Sequence, residues 1–525
     1  MPKLVPALLA LVVTLLFAPR AYADVLDEVR ARKVLVWGGD QEGGGPYVYP
    51  RDDNPDQVTG FEVELAALIA RELGVEAKFF QGNWDKLPDL ARTGQIDVVL
   101  NGYELTPERE AVLEATKPYY VYGLQLLVKK GSPIAGFDAL AARKSPKVGV
   151  LGGSAAESLV ESKLGKGTAT SYDGNTDAMR EVETGKLDAT VQDTPIVAFY
   201  APRFPGLVAA GPVEGEGLYV MFVKKGETRL ARAIDAALVS LHASGELEKL
   251  YAKYGLWNEQ QKKLANHLGP RTPAPAASSS ASPQADPSGS EPAPITAAPV
   301  RAGERPQGLA VVWSYGGILT EAAAITILLS IVSFPLAVAV GLMVALGRLY
   351  GPKWLGRILA VYVEVLRGTP LMLQLYFLFF FLPELGVRLP AFATAIIGLA
   401  VNYSAYESEI YRAGLQAIPQ GQMEAALSLG MSRTQALRHI IVPQATRIVI
   451  PPVVNDFIAL FKDTSVCSVV TVVELTKRYS ILNMSTQATI ELTLMTGLLY
   501  LLMSFPLGVL SRRLEAKLGL REVQA

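Results

Sequence analysis

The chain has 525 residues, a length that predicts at least two domains. Its formal net charge is -1, so it lacks the basic excess of nucleic-acid-binding proteins. Half of its residues are hydrophobic and only 19% are charged, against roughly 25% in an ordinary soluble domain. Because the long uncharged runs lie in the second half of the chain, a single soluble enzyme is not expected. The one cysteine, Cys467, excludes an internal disulfide framework and a cysteine-based zinc site.

Residues 1–23 are predicted to be an export signal. Lys3 gives a positive start, residues 4–17 are apolar, and Ala-Tyr-Ala at 21–23 fits a cleavage site between small residues. The apolar stretch is shorter than the roughly 20 residues that span a bilayer, which favours cleavage over an uncleaved anchor. We therefore expect the following segment outside the cytoplasm.

Residues 24–258 alternate strand-like and helix-like stretches, which predicts an α/β fold with largely parallel sheets. The string TGQIDVV at 93–99 returns as TGKLDAT at 184–190, and we interpret the pair as two lobes of similar build. The string at 123–131 resembles that at 217–226, which we interpret as paired strands that cross between the lobes. Chance similarity of such short strings is the alternative.

A two-lobed α/β fold also predicts where a ligand binds. Ligands of open α/β sheets bind outside the carboxyl ends of the strands. Those ends are Asn101 and Gly102 in the first lobe, and Gln192 and Asp193 in the second. The cleft between the lobes is therefore expected to be a hinged clamp.

The remaining chain is predicted to be a tether followed by a membrane domain. Residues 259–306 are rich in Pro, Ala and Ser and cannot bury enough apolar surface to fold. Residues 307–525 are predicted to form an all-α domain with five spans, at 322–347, 358–383, 390–411, 440–460 and 492–511. Basic residues follow the first, third and fifth spans, so they share the cytoplasmic side if the N-terminus is outside.

Residues 424–443 are predicted to form a helix–turn–helix on that cytoplasmic side. Gly430 can take the left-handed conformation that ends a helix. Ser432, with Gln435 three residues later, fits a capping box for the next helix. Small side chains before the turn would let a partner protein approach closely, whereas a plain surface loop is the alternative.

The string EAALSLG at 424–430, followed after nine residues by IIVP, resembles the EAA loop of ABC import permeases, which docks on an ATPase subunit. Strings at 362–370, 418–422 and 455–465 narrow the resemblance to permeases for polar amino acids. It implies a homodimer of the permease part and an ABC ATPase on the cytoplasmic face. The implied ATPase contacts are Glu424, Ala425, Ala426 and Gly430.

The exported half resembles the periplasmic amino acid-binding proteins of the same systems, which are two-lobed clamps of type II topology. The strings GFEVE at 60–64, GQID at 94–97 and TPER at 106–109 carry the resemblance. It implies that Arg109 holds the ligand α-carboxylate, for which a planar guanidinium suits bidentate binding, and that Asp193 holds the α-ammonium. The other implied contacts are Trp84 as an aromatic wall, Ser154 beside the carboxylate, Gly102 and Tyr47.

Glu104 departs from the pattern of that family, which has Ser or Thr at this position near the ligand. A carboxylate there would repel the ligand carboxylate unless it faces a cationic group or is protonated. Together with Asp40, Asp52 and Asp53, Glu104 suggests a basic amino acid as ligand. A solvated acidic surface is the alternative for the other three residues.

Polar residues within the predicted spans are candidates for a translocation path. Such groups are costly in lipid and usually face a bundle interior or a cavity. Structural ion pairs between spans are the alternative. The candidates are Asn402, Glu407, Asn455 and Asp456.

These observations predict a receptor–permease of an ABC importer for polar amino acids, in the bacterial inner membrane with its clamp in the periplasm. The phosphate-loop pattern GxxxxGK[ST] does not occur, so ATP and Mg are expected on a partner ATPase. Neither enzyme activity nor a cofactor or metal is expected in this chain, and its partners are the ligand and membrane lipid rather than nucleic acid. The alternatives are a ligand-gated ion channel with the same clamp, and an enzyme, since some dehydratases share the clamp fold.

Overall fold

The computed structural model describes residues 24–269 and 308–517, apart from residues 43, 52, 53, 56 and 487. The predicted export signal, most of the predicted tether, and the aspartates at 52 and 53 lie outside the described residues. The chain divides into two compact units, one N-terminal and one C-terminal.

The N-terminal unit is an α/β structure. Its strands are Val34–Gly39, Tyr49–Pro50, Val58–Thr59, Glu76–Gln81, Val98–Val99, Leu113–Lys129, Val148–Leu151, Ala169–Tyr172, Ala189–Asp193, Leu207–Ala209 and Glu214–Lys224. Its α-helices are Val25–Arg32, Phe61–Leu73, Leu87–Arg92, Pro107–Val112, Phe137–Ala141, Ala155–Leu164, Asn175–Thr184, Thr194–Tyr200, Thr228–Ala243, Glu246–Lys253 and Ala265–Leu268.

Nine of these strands form one sheet with a parallel set at each end. The first lobe contains Val34–Gly39, which pairs in parallel with Glu76–Gln81 and Val98–Val99. The second lobe contains Val148–Leu151, which pairs in parallel with Ala169–Tyr172 and Ala189–Asp193. The predicted two-lobed α/β fold is therefore confirmed.

Two long strands connect the lobes. Leu113–Lys129 and Glu214–Lys224 pair antiparallel, with Gly217 opposite Tyr122. Leu113–Lys129 also pairs with Ala189–Asp193 of the second lobe, and Glu214–Lys224 pairs with Val98–Val99 of the first. These are the paired crossing strands that the similar strings predict.

Helical spacing and end signals account for the helices beside the cleft. In Phe61–Leu73, the buried side chains include Phe61, Leu65 and Ile69, and the helix ends at Gly74 with φ of 71°. Burying each such side chain stabilises the fold by about 1.5–3 kcal/mol. The helix therefore packs its apolar face on the sheet, as its sequence predicts.

Residues 259–268 are helical, although the sequence predicts them as the start of the tether. Glu259–Leu264 is a 3₁₀-helix and Ala265–Leu268 a helical turn, both part of the N-terminal unit. Gln261 is fully buried, donates to the Val121 carbonyl at 2.7 Å and accepts from the Val121 N–H at 3.1 Å. The helical structure of the N-terminal unit thus continues past residue 258, and the Pro- and Ser-rich composition begins only after these residues.

The described residues of the C-terminal unit form helices joined by short loops, with no β-strand among them. Its α-helices are Leu309–Tyr350, Lys353–Gly368, Leu371–Tyr376, Ala391–Gln416, Gln420–Ser428, Arg433–Ala436, Val442–Asp463, Leu475–Thr486 and Thr489–Lys517. π-helical turns at Phe377–Phe381 and Leu437–Ile441 and 3₁₀-helices at Leu382–Leu385 and Thr464–Val470 connect some of them.

Apolar composition separates the predicted spans into two groups. Within the described chain, Leu309–Tyr350 and Thr489–Leu514 are long and apolar enough to cross a membrane. The pair Lys353–Gly368 and Leu371–Leu385, bent by 109°, makes a third if it is one span. The predicted spans at 390–411 and 440–460 are helical but fall short of this apolar composition.

Candidate functional site

A cleft between the two lobes gathers most of the predicted ligand contacts. Its cavity measures about 30 Å³, room for one or two water molecules rather than an amino acid. A ligand can therefore enter only if the lobes separate or side chains move. The lining residues are Tyr47, Trp84, Asn101, Gly102, Glu104, Leu151, Ser154, Ala156, Asn175, Val191, Gln192, Asp193 and Ile196.

Arg109 does not line the cavity itself but contacts the lining residues Trp84 and Glu104 from the first turn of helix Pro107–Val112. Thr106 caps this helix by accepting a hydrogen bond from the Arg109 N–H, which fixes the backbone beneath the guanidinium. The guanidinium carbon lies 5.2 Å from the Trp84 ring centre and 5.0 Å from that of Tyr103. Such cation–π stacking holds the planar group with its edge open to an anion.

The anion at that edge is the side chain of Glu104. Arg109 Nη1 lies 2.5 Å from Glu104 Oε2, and Arg109 Nη2 donates to the Gly153 carbonyl of the second lobe at 3.1 Å. The other carboxylate oxygen of Glu104 accepts from the Ala155 N–H at 2.9 Å. Glu104 thus faces a cationic group, which is one of the two conditions under which a carboxylate is expected at this position. Through Gly153 and Ala155, the ion pair also connects the first lobe to the second.

Ser154 is occupied by the helix that it begins. Its side-chain oxygen accepts from the Glu157 N–H and donates to the Leu151 carbonyl at 2.7 Å. The Ala155 N–H at the start of this helix donates to Glu104, and a helix N-terminus favours an anion. Glu104 already supplies that anion.

Asp193 ends its strand on the opposite wall of the cleft. Its carboxylate accepts a hydrogen bond from the Tyr219 hydroxyl, which lies 2.8 Å from the Tyr47 hydroxyl. Burial, and then the negative charge of Glu104, raise the pKa of Asp193 to about 7, although the Tyr219 hydrogen bond and Arg109 oppose the shift. A cationic group in the cleft would favour the ionised form of this carboxylate.

Trp84 and Asp40 form a supporting layer at the first lobe. The Trp84 ring stacks on Tyr103 at 4.8 Å, and its Nε1–H donates to the Asn101 carbonyl at 3.0 Å. Asp40 is 4% exposed and accepts from the Trp84 N–H at 2.8 Å. Asp40 is therefore neither a solvated surface group nor a lining residue of the cleft; it holds the aromatic wall in place.

Gly102 is positioned by a buried carboxylate that the sequence did not single out. Glu62 Oε1 accepts from the Gly102 N–H at 2.8 Å and from the Tyr119 hydroxyl at 2.5 Å. Gly102 takes a left-handed φ of 63°. Burial raises the pKa of Glu62 to about 7, although both hydrogen bonds oppose the shift.

Gln192 is a cleft residue that sequence reasoning placed at a strand end but did not name as a contact. It is 1% exposed, and its amide nitrogen donates to the Thr190 hydroxyl at 2.7 Å. Its Oε1 is buried without a hydrogen-bond partner. An unused acceptor of this kind costs free energy unless a donor satisfies it; no local sequence signal could have revealed it.

The predicted helix–turn–helix is present at residues 420–441, which we call the coupling hairpin. Gln420–Ser428 ends before Gly430, whose φ is 82°, and Ser432 forms the predicted capping box with Gln435. Glu424 and Ala425 are exposed, whereas Ala426 is buried. The sequence missed Leu429, an apolar side chain at the turn that is 83% exposed.

The candidate path residues divide between two helices. Asn402 and Glu407 are buried on Ala391–Gln416, and Asn402 donates to the Gln374 side chain at 3.1 Å. A Cβ on Gly341 would lie 2.6 Å from the Glu407 Cβ, so glycine lets this polar helix approach its neighbour. Asn455 and Asp456 lie on Val442–Asp463, and the Asn455 amide oxygen is 3.5 Å from the Ser511 hydroxyl.

One charged group in this unit is clearly structural. Glu409 forms ion pairs with Arg348 and Arg412. Its carboxylate thus joins helix Leu309–Tyr350 to helix Ala391–Gln416.

Comparison with protein families divides the chain in the same way. Residues 38–256 match the model of bacterial extracellular solute-binding proteins, family 3. Residues 337–520 match the model of the binding-protein-dependent transport system inner membrane component.

Curated relatives match the C-terminal part. The L-cystine transport system permease protein TcyB of Bacillus subtilis is 40% identical over 176 residues, which cover 33% of this chain and 75% of that one. The probable glutamine ABC transporter permease protein GlnP of the same organism is 38% identical over 202 residues, 38% of this chain and 93% of that one. The glutamine transport system permease protein GlnP of Escherichia coli is 32% identical over 209 residues, 39% of this chain and 95% of that one.

Solved structures match the N-terminal part. The ancestral amino acid-binding protein AncCDT-1, a precursor of cyclohexadienyl dehydratase, is 31% identical and covers 44% of this chain and 99% of its own, with a TM-score of 0.41. A mutant of the arginine-binding protein from T. maritima is also 31% identical, covering 44% and 98%, with a TM-score of 0.40.

Proposed function

The chain belongs to the family of binding-protein-dependent permeases of amino acid ABC transporters, with a family 3 solute-binding domain fused in front, and from this premise we propose that a separate ATPase drives it. The chain is the substrate-binding and membrane-spanning subunit of an importer for polar amino acids. The observation that carries the proposal is the presence in one chain of a two-lobed cleft and a capped, exposed helical hairpin.

The coupling hairpin supports the proposal of an ATPase partner. Its first helix carries the exposed Glu424 and Ala425, and the turn that follows carries the exposed Leu429. A partner protein that covers the hairpin would bury the Leu429 side chain and remove its apolar surface from water. ATP and Mg bind on that partner, and this chain supplies the surface that receives its movement.

The cleft supports the proposal of an amino acid ligand. Asp193 offers a buried carboxylate to an α-ammonium, while Arg109 and the N-terminus of helix Ala155–Leu164 form an anion site for an α-carboxylate. The two charges lie on opposite lobes, so one zwitterionic head group would link them and hold the clamp shut. Tyr47, Trp84, Gly102 and Ser154 shape the surrounding wall.

The assembly that fits this function is a homodimer of the permease part in the bacterial inner membrane, with each clamp on the periplasmic side. Asn402, Glu407, Asn455 and Asp456 line the path in this proposal. Their support is that polar groups in lipid-spanning helices usually face a bundle interior.

Reconstitution tests the proposal directly. The full chain in proteoliposomes should bind amino acid without hydrolysing ATP, and uptake should appear only when its ATPase is added on the cytoplasmic face. ATP turnover by the purified chain alone would refute it. A ligand-evoked current across a planar bilayer would indicate a channel instead.

A further inference from the structure

We propose that Glu104 is an internal carboxylate that occupies the anion site of the clamp and thereby selects amino acids with a second positive charge. The inference rests on the proposed function, because it takes the α-amino acid as the ligand and names its class. It concerns how this chain chooses among such ligands.

The first step is that the anion site is already taken. The Glu104 carboxylate accepts from Arg109 Nη1 at 2.5 Å and from the Ala155 N–H at 2.9 Å, one donor from each lobe. Its side chain is 2% exposed, and that of Arg109 is 15% exposed. A ligand carboxylate can therefore reach these donors only by displacing Glu104.

The second step is the fate of Glu104 once displaced. The exchange replaces one carboxylate at Arg109 with another, so the pair itself contributes little to affinity. Glu104 is then left in a cleft that also holds the buried Asp193, and a buried unpaired carboxylate is strongly unfavourable.

The third step is the charge in the occupied cleft. Glu104, Asp193 and the ligand carboxylate carry three negative charges, whereas Arg109 and the α-ammonium carry two positive ones. A neutral side chain leaves one negative charge without a partner. A cationic side chain pairs with the displaced Glu104 and removes the excess, so affinity depends on that second charge.

An independent observation points to a ligand with several N–H donors. Gln192 Oε1 is buried in the lining of the cleft without a hydrogen-bond partner. A guanidinium or an ammonium has N–H groups to spare after pairing with one carboxylate. Tyr47 and Trp84 also line the cleft, and aromatic rings attract a cation.

Arginine and citrulline provide the test, because they have nearly the same shape and differ in side-chain charge. Titration calorimetry on the full chain in detergent should show that arginine binds at least tenfold more tightly than citrulline. In Glu104→Gln and in Glu104→Thr, which restores the residue type of the related clamps, the preference should fall at least fivefold. Glu108→Gln, which changes an exposed carboxylate on the neighbouring helix, should keep the full preference.

Each other result overturns the inference. Equal affinity for arginine and citrulline in the unmodified chain would show that no second charge is selected. A preference that survives in both Glu104 variants would place the selector elsewhere. Tighter binding of agmatine, which lacks the carboxylate, would show that Glu104 is never displaced. If no amino acid binds at all, the proposed function itself fails.

Discussion

Arg109 and Glu104 illustrate how one ion pair joins several parts of the clamp. The guanidinium holds the carboxylate, two aromatic rings and a carbonyl of the second lobe at once. Both side chains are largely shielded from water. The intact pair therefore adds little to the stability of the fold, whereas removing one partner leaves a buried charge and is strongly destabilising.

Replacing Arg109 alone should therefore destabilise the clamp more than replacing both partners. Arg109→Ala leaves the Glu104 carboxylate buried without its cation, at a cost of about 3–5 kcal/mol. The double variant Arg109→Ala/Glu104→Gln removes that charge and should recover at least half of the loss. Scanning calorimetry of the clamp transition in the full chain measures both, and equal losses would contradict this account.

Glu62 predicts how stability depends on pH. Its pKa is raised from 4.5 to about 7, so between these values the folded chain keeps a proton that the unfolded chain has lost. The free energy of unfolding therefore falls as pH rises through this window, by about 3 kcal/mol in all. Below pH 4.5 the group has no such effect, and above pH 7 the whole cost is present.

The comparison with Glu62→Gln isolates that contribution. The variant has no titrating group at this position, so its stability should decline less between pH 5 and pH 8 than that of the unmodified chain. Denaturant unfolding at both pH values measures the difference. Parallel curves for the two proteins would show that Glu62 does not carry the dependence.

At the scale of elements, short helices position the site and a 3₁₀-helix extends the core of the clamp. The Thr106 and Ser154 caps fix the starts of the helices that bring Arg109 and the Ala155 N–H to the cleft. The 3₁₀-helix Glu259–Leu264 packs against the crossing strand through Gln261.

Gln261→Ala should destabilise the clamp by about 1–3 kcal/mol, because it leaves the buried N–H and carbonyl of Val121 without partners. Lys262→Ala, at an exposed neighbouring position, should change stability by no more than about 0.5 kcal/mol. Thermal unfolding of both full-length variants measures the contrast. If Gln261→Ala is as mild as its neighbour, residues 259–264 are not part of the clamp core.

At the scale of the whole molecule, binding and movement depend on different parts of one chain. The cleft lies in the N-terminal unit and the coupling hairpin in the C-terminal unit. Each can therefore be altered while the other keeps its local structure, which gives the proposed importer a clean separation of functions.

Leu429→Asp should reduce ligand-dependent ATP hydrolysis by the assembled importer at least tenfold. The reason is that it places a charge where a partner protein would bury an apolar group. Ligand affinity, measured by calorimetry on the same preparation, should stay the same. Leu429→Met keeps an apolar side chain and is the matched control. Full ATPase stimulation in the aspartate variant would mean that the partner binds elsewhere.

The sequence by itself determined the two-lobed α/β fold, the crossing strands, the helix that ends at Gly74 and the capped hairpin at Ser432. These features depend on residue spacing, glycine conformation and caps within a few residues, so a linear pattern records them.

Only the tertiary structure decided that Glu104 pairs with Arg109 and the Ala155 N–H, that Gln192 keeps an unused acceptor and that residues 259–268 pack in the N-terminal unit. Glu104 and Ala155 are 51 residues apart in sequence, and Val121 and Gln261 are 140 apart. The direction of such side chains depends on which distant backbone packs beside them, and no local pattern in the chain encodes that choice.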